Sequence, residues 1–401
     1  MHGTLGLSSH PVVIVMAIAV LSSLLAEVRI GAIWVPAVVW EMLCGMFLGP
    51  HGLNLARNAE LIEWLGRAGL AALFFMAGMD LDFQKVRGRP IRLAAGGWTL
   101  SLVLGLVSAI ILHLVPAIRT PLLVGLVLTT TALGTFMPIL RDTGQLDSKF
   151  GSFVTAAGAA GEFCPILVAS VLLTRIFGAS EEVVFTLAFV ALSVGAALIA
   201  LGLRPPKILK LLDRTMDAST QLPVIFSLLL VAVFANLSQA IGLESVFGSF
   251  AAGMVVGLAS QGDAGRAFRH KMEAVCFGFL IPFFFVVSGM NLDMSAFVRH
   301  PETVLLIPLF LLLFLLVRGA PVMFYRRDLP RQEWLPFALY SATALPMVVA
   351  ITDLAVRTNR LPPEIAAALV AAGLLSVLCF PALASSLLTR QPNLAIAAGS
   401  S

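Results

Sequence analysis

Residues 155–170 read TAAGAAGEFCPILVAS, and the one charge in that stretch is the carboxylate of Glu162. An ionised carboxylate at the centre of an apolar helix costs about 2.5–3.5 kcal/mol on insertion scales, so such a group normally faces water, an ion or a partner. Pro165 follows three residues later and has no N–H to give to the carbonyl of Gly161. That oxygen and the carboxylate oxygens of Glu162 therefore lie close together, and oxygens are what a hard cation prefers. The same carboxylate can take a proton instead. Exchange of a monovalent cation for a proton is the chemistry these residues suit, with Gly161 and Glu162 as the ion- and proton-binding pair.

Other residues extend the set. Arg318, in LLLFLLVRGAPVMFYRR, lies eight residues before Arg326, which at about 1.5 Å per residue puts it well below the membrane surface unless its long side chain snorkels outward. It is the expected charge partner of Glu162. A guanidinium and desolvation act on a carboxylate proton in opposite senses, and that balance suits proton exchange near neutral pH. A purely structural Glu162–Arg318 ion pair is the alternative. Two further stretches, TALGTFMPILRD from Thr131 and TALPMVVAITD from Thr343, combine proline with hydroxyls at Thr129, Thr130, Thr131, Thr135, Ser341 and Thr343. Pro138 cannot bond the carbonyl of Gly134, nor Pro346 that of Ala342, so both helices are expected to be interrupted and to leave polar backbone for an ion. Thr130 and Thr131 join the expected binding set on that ground. Glu41, in VPAVVWEMLCGMFLGP, is a proton relay or a partner for nearby backbone or a second subunit. Asp80, Asp82 and Asp293 read as helix-end residues.

These residues need a membrane to be placed in. The chain is 59% hydrophobic and 12% charged, and its apolar runs recur at the length of roughly 20 residues that crosses a bilayer core. About thirteen candidate spans follow from His10 to Leu387, which predicts an all-α, multi-pass protein of the bacterial inner membrane. The first ten residues hold no Lys or Arg, so the first span is expected to be retained and the N-terminus to lie outside. Threading from there gathers Lys85, Arg87, Arg89, Arg92, Arg204, Lys207, Lys210, Arg214, Arg266, Arg269, Lys271, Arg326, Arg327 and Arg331 on the cytoplasmic side, with the C-terminus. The net charge of +4 then reports topology, not nucleic-acid binding. Cys44, Cys164, Cys276 and Cys379 fall in different spans without C-x-x-C spacing, and no H-E-x-x-H pair occurs. No disulfide framework, structural metal or cofactor is expected.

The chain also repeats itself. FFMAGMDLDFQKVR at 74–87 matches FFVVSGMNLDMSAFVR at 284–299, Met79 against Met290, at an offset of 211 residues, and the two TAL stretches keep nearly the same spacing. CGMFLG at 44–49 and AGMVVG at 252–257 add a weaker third pair. Matched pieces seven spans apart point in opposite directions across the membrane. The expectation is two inverted six-helix repeats with crossed discontinuous helices, at 1–181 and 216–388. A linker helix and cytoplasmic loop at 182–215 join them and a short cytoplasmic tail at 389–401 follows.

Taken in order, PAVVWEMLCGMFLGPHGL, LFFMAGMDLD, TTTALGTFMPILRDTG, AAGAAGEF, FLLVRGAPV and SATALPMVVAI resemble the membrane domain of the monovalent cation:proton antiporter superfamily, nearest its Kef-type and Nap-type branch. The resemblance implies a homodimer, a moving core of spans four to six and eleven to thirteen, and a scaffold of the others. It matches Glu162 to the family's ion-binding acid and Arg318 to its basic residue. The chain departs from the pattern in having Gly161 where Asp, Asn or Gln usually precedes the essential acid, and in ending shortly after its last span, where Kef-type proteins often continue into a nucleotide-binding domain. The function expected is a secondary antiporter exchanging Na⁺ or K⁺ for H⁺ by alternating access, electroneutral if Glu162 is the shared site. A sodium-coupled organic-anion symporter of bile-acid transporter type and an uncoupled ion channel are the alternatives; an organic-substrate requirement would mark the first, non-saturating uncoupled flux the second. No nucleophile and base stand at a motif spacing, so an enzyme is not expected.

Overall fold

A computed structural model of the chain describes residues 11–27, 35–50, 52–53, 60–79, 88–113, 121–146, 148–176, 220–240, 245–260, 263–292, 299 and 301–389. These residues are helical throughout, joined by turns. The helices are α1 (Pro11–Glu27), α2 (Ala37–Leu48), α3 (Glu60–Met79), α4 (Arg89–Leu112), α5 (Pro121–Val127), α6 (Leu133–Asp142), α7 (Lys149–Ile176), α8 (Leu222–Ala240) and α9 (Ser245–Ala259). After them come α10 (Asp263–Val275), α11 (Ile281–Asn291), α12 (Leu306–Gly319), α13 (Trp334–Ala342), α14 (Pro346–Arg357) and α15 (Pro363–Thr389). Among the described residues, seven helical stretches are long and apolar enough to cross a membrane, and α2, α9 and most of α1 are shorter apolar helices. The expected linker at 182–215, the basic residues Lys85, Arg87, Arg204, Lys207, Lys210 and Arg214, and the acids Asp80, Asp82 and Asp293 lie outside the described residues.

The chain packs as two units, one of residues 1–16, 58–83 and 166–287, the other of 17–57, 84–165 and 288–401. These units group residues by packing, which is a different division from the expected repeats. The second contains the residues expected to bind the ion.

In the first unit α3 and α9 approach backbone to backbone. A Cβ on Gly78 would strike the carbonyl of Phe250, one on Gly253 that of Phe75, and one on Gly257 would come 2.6 Å from that of Met79. Gly253 and Gly257 form a G-x-x-x-G pair, the spacing that brings two membrane helices into contact over one face. The α3 C-terminus leaves carbonyls without intrahelical donors, and Arg269 Nη2 donates to Met79 O at 2.8 Å. Between α10 and α11 a π-turn spans Cys276–Leu280, where Ile281 N–H donates to Cys276 O. Pro282 next to it has no N–H for the carbonyl of residue 278, and widening the turn by one residue lets the helix continue. On α8, Ile225, Leu229 and Val233 form an exposed apolar stripe at i, i+4 and i+8, the inside-out pattern of a lipid-facing helix.

The second unit is built round an aromatic core. Phe136 and Tyr340 stand 5.3 Å apart, Phe153 and Tyr325 5.5 Å, and Tyr325 and Phe337 4.4 Å between ring centroids. Near them α4 and α5 meet at two glycines: a Cβ on Gly105 would lie 2.5 Å from Gly125 O, and one on Gly125 would strike Gly105 O. At one end Arg89, the first residue of α4, donates from Nη2 to Asp328 Oδ2 at 2.9 Å, and Lys149, the first residue of α7, lies 3.9 Å from Oδ1. Asp328 so gathers the starts of two helices onto the segment between α12 and α13.

Candidate functional site

The two TAL stretches interrupt their helices, but not where the prolines alone suggested. Between α5 and α6 the unwound residues are Leu128–Ala132, whereas Pro138 sits inside α6 as its sixth residue. Between α13 and α14 they are Thr343–Leu345, and Pro346 is the first residue of the second half-helix. Gly134, at the place in its stretch that Pro346 holds in the other, is likewise at the start of a half-helix. A proline is tolerated in the first turn, where its missing N–H would have been unsatisfied anyway, and it marks the restart rather than the break. The threonines end the first half-helix: Thr129 Oγ1 donates to Leu126 O at 2.7 Å and Thr130 Oγ1 to Val127 O at 2.8 Å. The Thr130 hydroxyl proton is therefore given to backbone.

The first unwound stretch is bonded to the second and to the end of α13 that leads into it. Ala132 N–H donates to Thr343 O at 2.7 Å, and Thr131 Oγ1 donates to Ser341 O at 2.5 Å. Each is also held by a long helix. Thr131 N–H donates at 2.9 Å to Gly161 O, the carbonyl that Pro165 leaves without an intrahelical donor. Ala344 N–H donates to Ser376 Oγ at 3.0 Å, and that hydroxyl is 2.7 Å from Gly373 O. Gly161 allows this approach because it lacks a side chain: a Cβ there would lie 2.5 Å from both Thr131 Oγ1 and Arg318 Nη2.

Arg318 is 2% exposed, so it does not snorkel. Its guanidinium joins four pieces of the unit. Nε donates to Thr131 Oγ1 at 2.8 Å and more weakly to Ser341 O at 3.4 Å, Nη1 to Ser101 Oγ at 3.1 Å, and Nη2 to Ala157 O at 2.9 Å. All are neutral acceptors. A planar guanidinium carries five N–H groups in a fixed fork, and α4, the first unwound stretch, the end of α13 and the α7 backbone supply carbonyls and hydroxyls at matching angles. Glu162 is half-buried on α7, next to Gly161 and one turn beyond Ala157, whose carbonyl accepts from Arg318.

Ser341 Oγ is buried and makes no hydrogen bond among the described residues. A buried hydroxyl of this kind retains both its proton and its lone pairs for an ion or a water. Glu41 on α2 is 4% exposed, and no hydrogen bond or ion pair holds it among the described residues. The site therefore brings together Gly161, Thr131, Ser341, Thr343 and Arg318, with Glu162 alongside; Thr130 faces back along its own helix. Sequence reasoning missed Ser101, Ser376 and the Ala157 carbonyl. A signal for Ser376 was present: Ala-Ala-Gly at 159–161 recurs at 371–373, the same offset of 212 residues that separates Thr131 from Thr343.

Comparison with known proteins agrees with this geometry. The family described as sodium/hydrogen exchanger, transmembrane, matches residues 14–390. A putative Na⁺/H⁺ antiporter of Bacillus subtilis, YjbQ, is 22% identical over 372 residues, 89% of this chain and 60% of that protein. The Na⁺/H⁺-K⁺ antiporter GerN of Bacillus cereus is 26% identical over 285 residues, 69% of this chain and 70% of its own. The glutathione-regulated potassium-efflux protein KefC of Escherichia coli is 25% identical over 358 residues, 86% of this chain and 56% of its own. The chain thus spans little more than half the length of some of these relatives. In fold, it superposes on the sodium proton antiporter MjNhaP1 of Methanocaldococcus jannaschii with a TM-score of 0.64 at 17% identity, covering 97% of this chain and 98% of that one.

Proposed function

Because the chain belongs to the sodium/hydrogen exchanger family, we propose that it is a multi-pass membrane antiporter in which Na⁺ or K⁺ and H⁺ compete for Glu162 and cross by alternating access. The observation that carries this reading is the pair of interrupted helices, cross-bonded through Ala132–Thr343 and Thr131–Ser341, with a half-buried carboxylate on the helix that bonds one of them. Unwound backbone and half-helix ends near the membrane midplane are what secondary transporters use to hold a coupling ion. Gly161, Thr131 and Ser341 belong to the crossing that Glu162 stands beside, and Arg318 is held there by neutral oxygens, so polar groups able to stabilise an ion gather round the carboxylate. The test is proton flux in proteoliposomes on addition of Na⁺, K⁺, Li⁺ or Rb⁺. A saturable response to at least one cation is expected, and silence towards all four rejects antiport.

The repeat reading remains part of the proposal. The shared offset of 212 residues at Thr131/Thr343 and Gly161/Gly373 supports it, since both glycines lie against the break in their own half. If the halves are inverted, the loop after Asp82 is cytoplasmic and the loop after Asp293 external. Single cysteines at Gln84 and Ser295, in a background without native cysteines, then label from opposite sides with an impermeant reagent. Labelling from the same side refutes inversion.

Exchange is expected to be electroneutral. Glu162 holds one proton or one monovalent cation, Arg318 stays cationic, and position 161 is glycine, so the site carries the same charge on both legs of the cycle. An electrogenic cycle would feel about 2.3 kcal/mol per elementary charge per 100 mV. With vesicles clamped at 0 and about 100 mV by an ionophore for a non-substrate ion, the equilibrium proton gradient should coincide at the two voltages. A gradient that moves with voltage shows net charge transfer, and Glu41 would be the acid to suspect of carrying a second proton.

A further inference from the structure

Apart from the crossing, the second unit contains a recess where α14 ends and α15 begins. It is lined by Ser288, Asn291, Thr352 and Asp353 among apolar residues that include Met42 and Val370. Its polar groups are oxygen-rich. Thr352 is 2% exposed, and its hydroxyl proton is directed to Val348 O at 2.7 Å and Val349 O at 3.1 Å, so the hydroxyl's lone pairs are its remaining capacity. Asp353 accepts Arg357 Nε on Oδ2 at 2.8 Å, which leaves Oδ1 outside that bond. The side chains of both Asp353 and Arg357 remain partly exposed, at 29% and 43%. The Glu364 carboxylate on α15 and the buried Glu41 on α2 form no hydrogen bond or ion pair with Asp353 among the described residues.

The recess stands on the same half-helix as the crossing. Thr352 is six residues beyond Pro346, about 9 Å along a helix at 1.5 Å per residue. A carboxylate on the wall of a recess attracts cations locally, and Arg357, bonded to that carboxylate, is a charge that an arriving cation would have to displace.

We propose that this recess is a second, weaker site for a monovalent cation, a loading site at one membrane face formed by Asp353, Thr352, Ser288 and Asn291 and gated by the Asp353–Arg357 pair. The assignment of its ligand as the transported Na⁺ or K⁺ rests on the antiport reading; the site itself does not. The test is equilibrium binding of ²²Na⁺ and ⁸⁶Rb⁺, the latter standing for K⁺, to purified full-length protein carrying Glu162→Gln, which removes the exchange carboxylate. Residual binding of one of them should survive, be lost on adding Asp353→Asn, and tighten about two- to fivefold on adding Arg357→Gln, the range an exposed ion pair is worth. No residual binding in the Glu162→Gln protein, or binding indifferent to both further substitutions, overturns the proposal. The opposite signs expected for Asp353→Asn and Arg357→Gln separate it from mere misfolding. In everted and right-side-out vesicles of the otherwise native protein, Asp353→Asn should raise the apparent KM for the cation about three- to tenfold from one face alone, with kcat unchanged. A KM unchanged from both faces, or a fall in kcat from both, also overturns it. Asp353-dependent binding in a protein that shows no exchange would instead uphold this site and reject antiport.

Discussion

Glutamine at position 162 is expected to abolish cation-driven proton flux and leave the protein folded. The amide nearly matches the protonated carboxyl in shape, so the half-buried place on α7 tolerates it. The backbone contact that matters there, Thr131 N–H to Gly161 O, does not involve the side chain. What the amide cannot do is release a proton or neutralise a cation, and those are the two states between which the proposed cycle moves. Reconstituted at matched protein content, Glu162→Gln should give the flux of protein-free liposomes for every cation tested. Flux at the native level in that variant removes Glu162 from the mechanism and directs attention to Glu41.

Loss of Arg318 is expected to be the most damaging single change to the structure of the second unit. In Arg318→Met the oxygens of Thr131, Ser101 and Ala157 lose a buried charged donor at 2.8–3.1 Å. Hydrogen bonds to charged groups contribute about 1.5–3 kcal/mol each and are not additive, so a total near 3–5 kcal/mol is expected. The measurement is the thermal midpoint of unfolding in detergent, compared among native protein, Arg318→Met and Arg318→Lys. Lysine keeps the charge but not the planar fork, and one ammonium cannot span acceptors on α4, α7, the first unwound stretch and the end of α13. If Arg318 works as a clamp on the crossing, Arg318→Lys loses both stability and exchange. Should Arg318→Lys exchange normally, a charge acting on Glu162 would explain the residue better than the clamp does.

Much of this was legible before the fold was known, and for definable reasons. Glu162 stood out because a bilayer penalises charge, so that one acid in an apolar helix is conspicuous by cost alone. The interruptions at the two TAL stretches could be expected because proline and clustered hydroxyls are local properties of the chain. Their register could not. Pro138 lies six residues past Ala132, where the first break ends, inside α6 at the cost of the donor for Gly134 O, while the true break is fixed by which carbonyls Thr129 and Thr130 can reach.

Sequence by itself determined the class of this protein, its many apolar helices, the lone acid and the two broken helices. All follow from composition and from covalent features of single residues. The tertiary structure decided who pairs with whom. The sequence offers Arg318 as a counter-charge for Glu162 because opposite charges in one apolar chain invite that reading, whereas the hydrogen bonds of a guanidinium are set by which acceptors come within about 3 Å at its fixed donor angles. Those acceptors, Ser101, Thr131, Ala157 and Ser341, come from four separate segments. No spacing along the chain records that meeting, because it is produced by Gly161 letting α7 close on the unwound stretch and by the crossing holding the two stretches together.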